Sequence, residues 1–207
     1  MSVKSLQQIF DDYETNFVDS PAFVIKFVEL NPAVLAAPGQ LRERDDLLKV
    51  AAIVGKYFKA LMQTKQYQKV VDEVDRVLTE FDANMRLLKM QPIQEKWYLH
   101  LMFFKGEALY NLNFYKNALD HFNQTLVLTP DNAIIKKWIF YSKTMVYKRY
   151  HDGAFIIGGV LIIGSILLVN YFHHWINALI SFIGLALVLY TFAIKYIYHK
   201  NRKADMR

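Results

Sequence analysis

Apolar side chains recur every three to four positions through the first 150 residues of this chain, then run almost without interruption to its end. The earlier spacing is that of amphipathic helices, and no stretch before residue 150 shows strand-type alternation between Gly-rich turns. Ser20-Pro21 reads as a helix start, with Pro at the first helical position, and Asn31-Pro32 closes the segment PAFVIKFVEL. Pro38-Gly39 predicts a turn. A long helix follows from Gln40 to about Thr64, its stripe running from Leu47 and Leu48 to Leu61 and Met62. A second is expected from Tyr67 to Phe81 on Val70, Val71, Val74, Val77 and Leu78, and Pro92 opens a third that reaches Leu112. Thr129-Pro130-Asp131-Asn132 then separates a last polar-faced helix that runs on toward the apolar end.

Two uncharged runs make up that end, Gly153 to Phe172 and Trp175 to Ile194. Each is about 20 residues, which at about 1.5 Å per residue matches a hydrocarbon core of roughly 30 Å. The first holds twelve Phe, Ile, Leu and Val residues, together contributing on the order of −5 kcal/mol to insertion before Gly, Ser and Asn subtract. The pair reads as a transmembrane hairpin over residues 153–198. Lys136, Lys137, Lys143, Lys148 and Arg149 precede it, and Lys195, Lys200, Arg202, Lys203 and Arg207 follow, while the bend Tyr171-Phe172-His173-His174-Trp175 has neither Lys nor Arg. The positive-inside rule then places both termini in the cytoplasm, including a basic tail over residues 199–207. Tyr171, Trp175, Tyr196 and Tyr198 fall at the expected headgroup levels. The opening MSVKSLQQIFDDYETNF is polar and acidic rather than a secretory signal. With no organelle address to read, the expected location is integral to a bacterial inner (cytoplasmic) membrane.

Composition narrows the chemistry. The formal charge is +6, split evenly between residues 1–150, with 20 basic and 17 acidic groups, and residues 151–207, with five and two. That is too dilute for a nucleic-acid interface. Cysteine is absent, which removes disulfides, thiolate metal sites and cysteine nucleophiles. His173-His174 lacks a third ligand, and adjacent histidines point apart on a helix. The acidic clusters Asp11, Asp12, Glu14 and Glu43, Asp45, Asp46 are explained by first turns of helices, where negative charge is favoured. No phosphate loop, HExxH or GxSxG occurs, so neither enzymatic activity nor a cofactor is expected.

The most specific soluble signal is Leu99 to Asn132, LHLMFFKGEALYNLNFYKNALDHFNQTLVLTPDN. It resembles a tetratricopeptide repeat, with the packing positions at Gly106, Tyr115, Ala118, Phe122 and Pro130. It departs from that pattern at Lys105, where Leu is usual, and at Thr125, where Ala is usual. A weaker copy lies at about residues 47–81, with Tyr67, Val70, Val74 and Val77-Leu78 aligned 48 residues ahead of Tyr115, Ala118, Phe122 and Thr125-Leu126; the family's usual period is about 34. The resemblance implies a groove on the first helix of the unit, formed by His100, Phe103, Glu107, Tyr110 and Asn111, that holds a peptide segment or helix of a protein partner. The competing reading is that Phe103 and Tyr110 pack against the neighbouring helix. Chaperone-binding members clamp a C-terminal carboxylate with Lys and Asn on this face, and Phe103 and Glu107 do not fit that clamp.

The expected fold is therefore all-α: a helical-repeat, tetratricopeptide-like cytoplasmic domain over residues 1–150, followed by the transmembrane hairpin. The expected function is that of a membrane-anchored adaptor or scaffold, with membrane lipid as its second partner and no nucleic acid. The alternative is an accessory subunit of a larger membrane complex, with the hairpin touching a membrane-protein partner through Ala154, Gly158, Ala178, Ser181 and Gly184. Asn170 and Asn177 lie near the outer ends of the spans, where they are expected to hydrogen-bond across the bend. An oligomeric pore ranks behind both, since no charge sits mid-span. Lys136, Lys137, Trp138, Tyr141, Lys148, Arg149 and Tyr150 are expected to rest on anionic lipid, to cap the repeat, or both.

Overall fold

The computed structural model describes residues 6–18, 20–36, 41, 43–91, 95–168 and 174–205, with side chains described as far as residue 193. The expected turn at Pro38-Gly39, the helix start at Pro92, and Asn170, Tyr171, Phe172 and His173 lie outside these, as do the side chains of Lys195, Tyr196 and Tyr198. Among the described residues every regular element is a helix: α1 Leu6–Asn16, α2 Pro21–Leu30, α3 Ala33–Ala36, α4 Arg44–Gln63, α5 Tyr67–Leu87, α6 Lys96–Asn111, α7 Tyr115–Leu128, α8 Ala133–Leu167 and α9 His174–Asp205. The chain divides into two compact units, residues 1–143 and 144–207.

In the first unit α4 and α5 form one antiparallel pair and α6 and α7 a second, with α5 and α4 both packed on α6 and α2 packed on α4. Val50, Val54, Tyr57, Phe58 and Leu61 of α4 and Val70, Val74, Val77, Phe81 and Met85 of α5 are almost wholly buried. Each such side chain contributes about 1.5–3 kcal/mol on leaving water, far more than the ion pairs at the rim. Helix α5 runs six residues past the expected end at Phe81, because Asn84 and Met85 continue its buried stripe. Asp45 and Asp46 do lie in the first turn of α4. The same explanation fails for Asp11, Asp12 and Glu14: α1 is under way from Leu6, so Asp11 sits at its midpoint and Asp12 and Glu14 beyond it.

The two pairs share one turn. Thr64 and Leu112 end their helices at φ/ψ of −87/7° and −80/3°. Lys65 and Asn113 take left-handed φ values of 59° and 65°, and Gln66 and Phe114 follow at −82/51° and −84/56°. The amides of Gln66 and Phe114 each donate at 2.9 Å to the carbonyl five residues back, Leu61 and Leu109, which is the Schellman closure; α5 ends in the same way, with Lys89 at φ 54° and Met90 donating to Met85 at 2.8 Å.

In the second unit, α8 and α9 include two helices long and apolar enough to cross a membrane, with mean hydropathies of 1.6 and 2.1. Only 11% and 17% of their apolar windows are buried in the protein, whereas a core helix of a soluble domain hides most of its apolar surface. They meet at Gly158 and Gly184. A Cβ on Gly158 would lie 2.9 Å from the Gly184 carbonyl oxygen, and one on Gly184 would lie 2.8 Å from that of Gly158. Ser165 and Ser181 share a hydrogen bond of 2.6 Å between their hydroxyls. Asn177, Ser181, Gly184 and Thr191 recur at intervals of four, three and seven along α9, the spacing of a packed helical seam.

Candidate functional site

Helix α6 carries the five residues expected to form the groove, and their roles in the structure divide. His100 is exposed and Phe103 half-buried, and both line an open cleft of about 290 Å³ in the first unit. Its apolar lining is completed by Leu99, Ile134 and Ile135, and its polar lining by Lys96, Thr125, Thr129 and Asn132. The cleft therefore lies among the start of α6, the end of α7 and the start of α8. Glu107, Tyr110 and Asn111 are not part of that lining.

Trp138 of α8 accounts for the aromatic side chains. Its ring centroid lies 5.9 Å from Phe103, 5.2 Å from Tyr110, 5.7 Å from Phe122 and 6.0 Å from Tyr141. Phe103 and Tyr110 thus pack against a neighbouring helix, and only Phe103 also reaches the cleft. Tyr110 stacks edge-on to Tyr115 at 5.2 Å, and burial pushes its phenol above the ordinary range. Burial likewise raises the Glu107 carboxyl. Asn111 donates its side-chain amide to the Glu107 carbonyl at 2.9 Å, so it belongs in part to its own helix.

The packing residues behind the cleft fit closely. Gly106 is buried, and a Cβ there would fall 2.5 Å from Cε1 of Phe122. Ala118 and Phe122 are fully buried, Tyr115 donates its hydroxyl to Asn113, and Pro130 is exposed in the turn before α8. Lys105 bonds Asp75 of α5 at 2.7 and 2.9 Å, which gives a polar side chain a use at this helix contact. Thr125 is buried and donates to the His121 carbonyl at 2.9 Å. His121 in turn lies 2.8 Å from the Met102 carbonyl through Nε2. A carbonyl only accepts, so Nε2 carries the proton and ties α7 to α6.

Lys96, Thr129, Asn132, Ile134 and Ile135 were not legible as site residues from α6 alone. The one available signal was spacing: α6 and α8 begin 37 residues apart, at Lys96 and Ala133, which places the starts of the two helices at one end of the unit. Asn132 fixes the second start, its Oδ1 accepting from the amides of Ile134 at 3.0 Å and Ile135 at 3.2 Å. Among the described residues no cluster of His, Cys, Asp and Glu has the makings of a metal site. No family model, no curated protein and no solved structure matches this chain.

Proposed function

We propose that this chain is a membrane-anchored, tetratricopeptide-like adaptor that holds a protein segment in the cleft between α6, α7 and α8. The observation that carries the reading is the cleft itself: an open, mostly apolar recess at the end of a tightly packed helical pair. Its volume is at the floor of the roughly 300–1,000 Å³ range of small-molecule sites, which suits one or two side chains of a peptide better than an enclosed ligand. The repeat reading is supported by the turn inside each pair, at Lys65 and Asn113, 48 residues apart; a third turn of this kind closes α5 at Lys89. In this reading α8 and α9 span a bacterial inner membrane with both termini in the cytoplasm. Anchoring confines the bound partner to a surface and raises its effective concentration without further contacts.

A second reading is favoured by a different observation. Gly159 and Gly164 have open space where a side chain would stand, so α8 presents small residues away from the α9 seam. That suits an accessory subunit making lateral contacts. Native mass spectrometry of the full chain in nanodiscs separates the two. The adaptor reading expects a heteromeric species of fixed stoichiometry that Ile134→Lys abolishes and Gly159→Leu leaves intact. The reverse pattern would make the hairpin the interface. A closed homo-oligomer with nothing else bound would overturn both in favour of a pore.

A further inference from the structure

The net charge of this chain is concentrated. Residues 1–142 carry 17 basic and 17 acidic side chains, which cancel, so the whole +6 falls in residues 143–207, where eight basic side chains stand against Asp152 and Asp205. None of these lies within the apolar runs Gly153 to Phe172 and Trp175 to Ile194. In the second unit α8 and α9 run antiparallel, with the Phe155 and Phe192 rings edge-on at 6.3 Å and Ser165 bonded to Ser181. The start of the first run and the end of the second therefore lie at one end of the hairpin, and all of these charges flank that end in sequence.

One turn of α8 at that end is bare all round. Tyr147, Lys148, Arg149 and Tyr150 are all exposed, and at about 3.6 residues per turn four successive positions go round the helix. Lys148 and Arg149 have no carboxylate partner among the described residues. Asp152, one turn on from Lys148, is engaged instead by Nδ1 of His151, which donates to it at 3.2 Å. Other residues expected to rest on lipid are taken up elsewhere: in the first unit Trp138 and Tyr141 meet at 6.0 Å, and Lys137 lies 5.6 Å over the Tyr141 ring.

From this we infer that the bare turn at residues 147–150 binds the phosphate headgroups of anionic phospholipids. The inference rests on the reading of α8 and α9 as a membrane-spanning hairpin, and not on the cleft. With Gly153 at the edge of the hydrocarbon, these residues stand three to six positions outside it, or about 4.5–9 Å along the helix. That range overlaps a headgroup layer of roughly 5–8 Å. Lys148 and Arg149 offer charged N–H donors to phosphate oxygens, and the tyrosine rings, apolar in body and polar at the tip, suit the same layer. The excess of positive charge favours lipids with a net negative charge over zwitterionic ones, whose own cation offsets the phosphate. Residues 171–175 at the other end hold neither Lys nor Arg, so the selection acts in one leaflet.

Spin-labelled phosphatidylglycerol and spin-labelled phosphatidylcholine test this with the full chain in phosphatidylcholine vesicles, where electron paramagnetic resonance reports the lipid held at the protein. At low salt the protein is expected to hold the phosphatidylglycerol label about threefold or more over the phosphatidylcholine label, an excess that shrinks as salt screens it. Lys148→Gln combined with Arg149→Gln, both at exposed positions, should remove about half of that excess or more while leaving the phosphatidylcholine signal, and so the inserted hairpin, as it was. Lys148→Arg with Arg149→Lys, which keeps both charges, should retain the excess, as should Lys136→Gln with Lys137→Gln in the first unit. Equal retention of the two labels by the wild type overturns the inference alone. So does an excess that survives Lys148→Gln with Arg149→Gln, or one that is lost only with Lys136→Gln and Lys137→Gln. Retention of neither label overturns the membrane-spanning reading as well, since a hairpin in the bilayer must hold neighbouring lipid of some kind.

Discussion

The ring of Phe122 occupies the space that any side chain on Gly106 would need, at 2.5 Å from a Cβ placed there. At the matching positions of the first helical pair, 48 residues earlier, the sizes are exchanged: Phe58 stands in place of Gly106 and Val74 in place of Phe122, all of them buried. The aligned positions thus carry large and small side chains in the opposite order. Gly106→Phe alone should cost at least about 1–3 kcal/mol through overpacking, and Phe122→Val about 1–3 kcal/mol through the void it leaves. Combined, they should cost less than the sum by more than about 1 kcal/mol. Urea unfolding of the four proteins measures this, and strict additivity would deny the exchange.

That exchange also shows where sequence reading ended. The helices, the two apolar runs and the Leu99 to Asn132 pair follow from periodicity and punctuation, which are local. The weaker copy has Phe58 where the second pair has Gly106, and the turn at Lys65 and Asn113 also closes α5 at Lys89, so it does not single out the two pairs. The groove was half legible for a similar reason. Spacing on α6 puts Phe103, Glu107 and Tyr110 on one face, but Trp138, 28 residues beyond Tyr110, decides what those rings touch. A contact of that separation leaves no trace in the periodicity of either helix. Asp11, Asp12 and Glu14 do not mark a helix start, since Leu6 already lies inside α1.

Trp138 should be the most sensitive residue of the cleft end. Trp138→Ala removes ring contacts to Phe103, Tyr110, Phe122 and Tyr141 at once. A loss of about 3 kcal/mol or more is expected, as for other large-to-small changes in packed sites. Hydrogen exchange should show it, with α6 and α7 losing protection while α2 and α4 keep theirs. Uniform loss across all these helices would mean that the first unit unfolds as one.

Asn84 offers the opposite sign. It is fully buried in α5, and neither polar atom of its amide has a hydrogen-bond partner among the described residues. A buried polar group in that state costs roughly 1–3 kcal/mol. Asn84→Leu should therefore stabilise the domain by about 1 kcal/mol or more in chemical denaturation. A destabilised variant would show that the amide is satisfied by water.

His121 makes the stability depend on pH. Burial lowers the proton affinity of the imidazole; Lys105 adds to this, while the Met102 carbonyl and Asp75 oppose it. The folded state thus binds the proton less readily than the unfolded chain, whose histidines titrate near about 6.5. The neutral ring's contribution is complete above that value and is lost as the pH falls below it toward the folded value. Glu107 acts in the other sense, since burial raises its carboxyl and folding gains as that group is protonated. Comparing wild type with His121→Gln, which keeps a donor but cannot charge, cancels the Glu107 contribution. The wild-type melting temperature should drop relative to the variant's between about pH 7 and about pH 5. Parallel profiles would exclude His121 as the source.

The Ser165 and Ser181 hydroxyls, 2.6 Å apart, turn the hairpin seam into a measurement, helped by a chain with no native cysteine. Ser165→Cys with Ser181→Cys should close an intramolecular disulfide when native membranes are oxidised, seen as the loss of two maleimide-reactive thiols in a monomer. The pairing depends on the close backbone approach at Gly158 and Gly184. In Gly184→Ile the new side chain meets the Gly158 carbonyl oxygen and Ile162 Cγ1, each 2.8 Å from its Cβ, and that contact forces the helices apart. Oxidation should then slow by about tenfold or more, because a bond of roughly 2.05 Å between sulfurs tolerates little added separation. Fast intramolecular closure that Gly184→Ile abolishes means the small residues of this seam hold the hairpin to itself, as an anchor requires. Disulfide-linked dimers instead would mean that the same face meets a second chain, and the hairpin would be an interface rather than a tether.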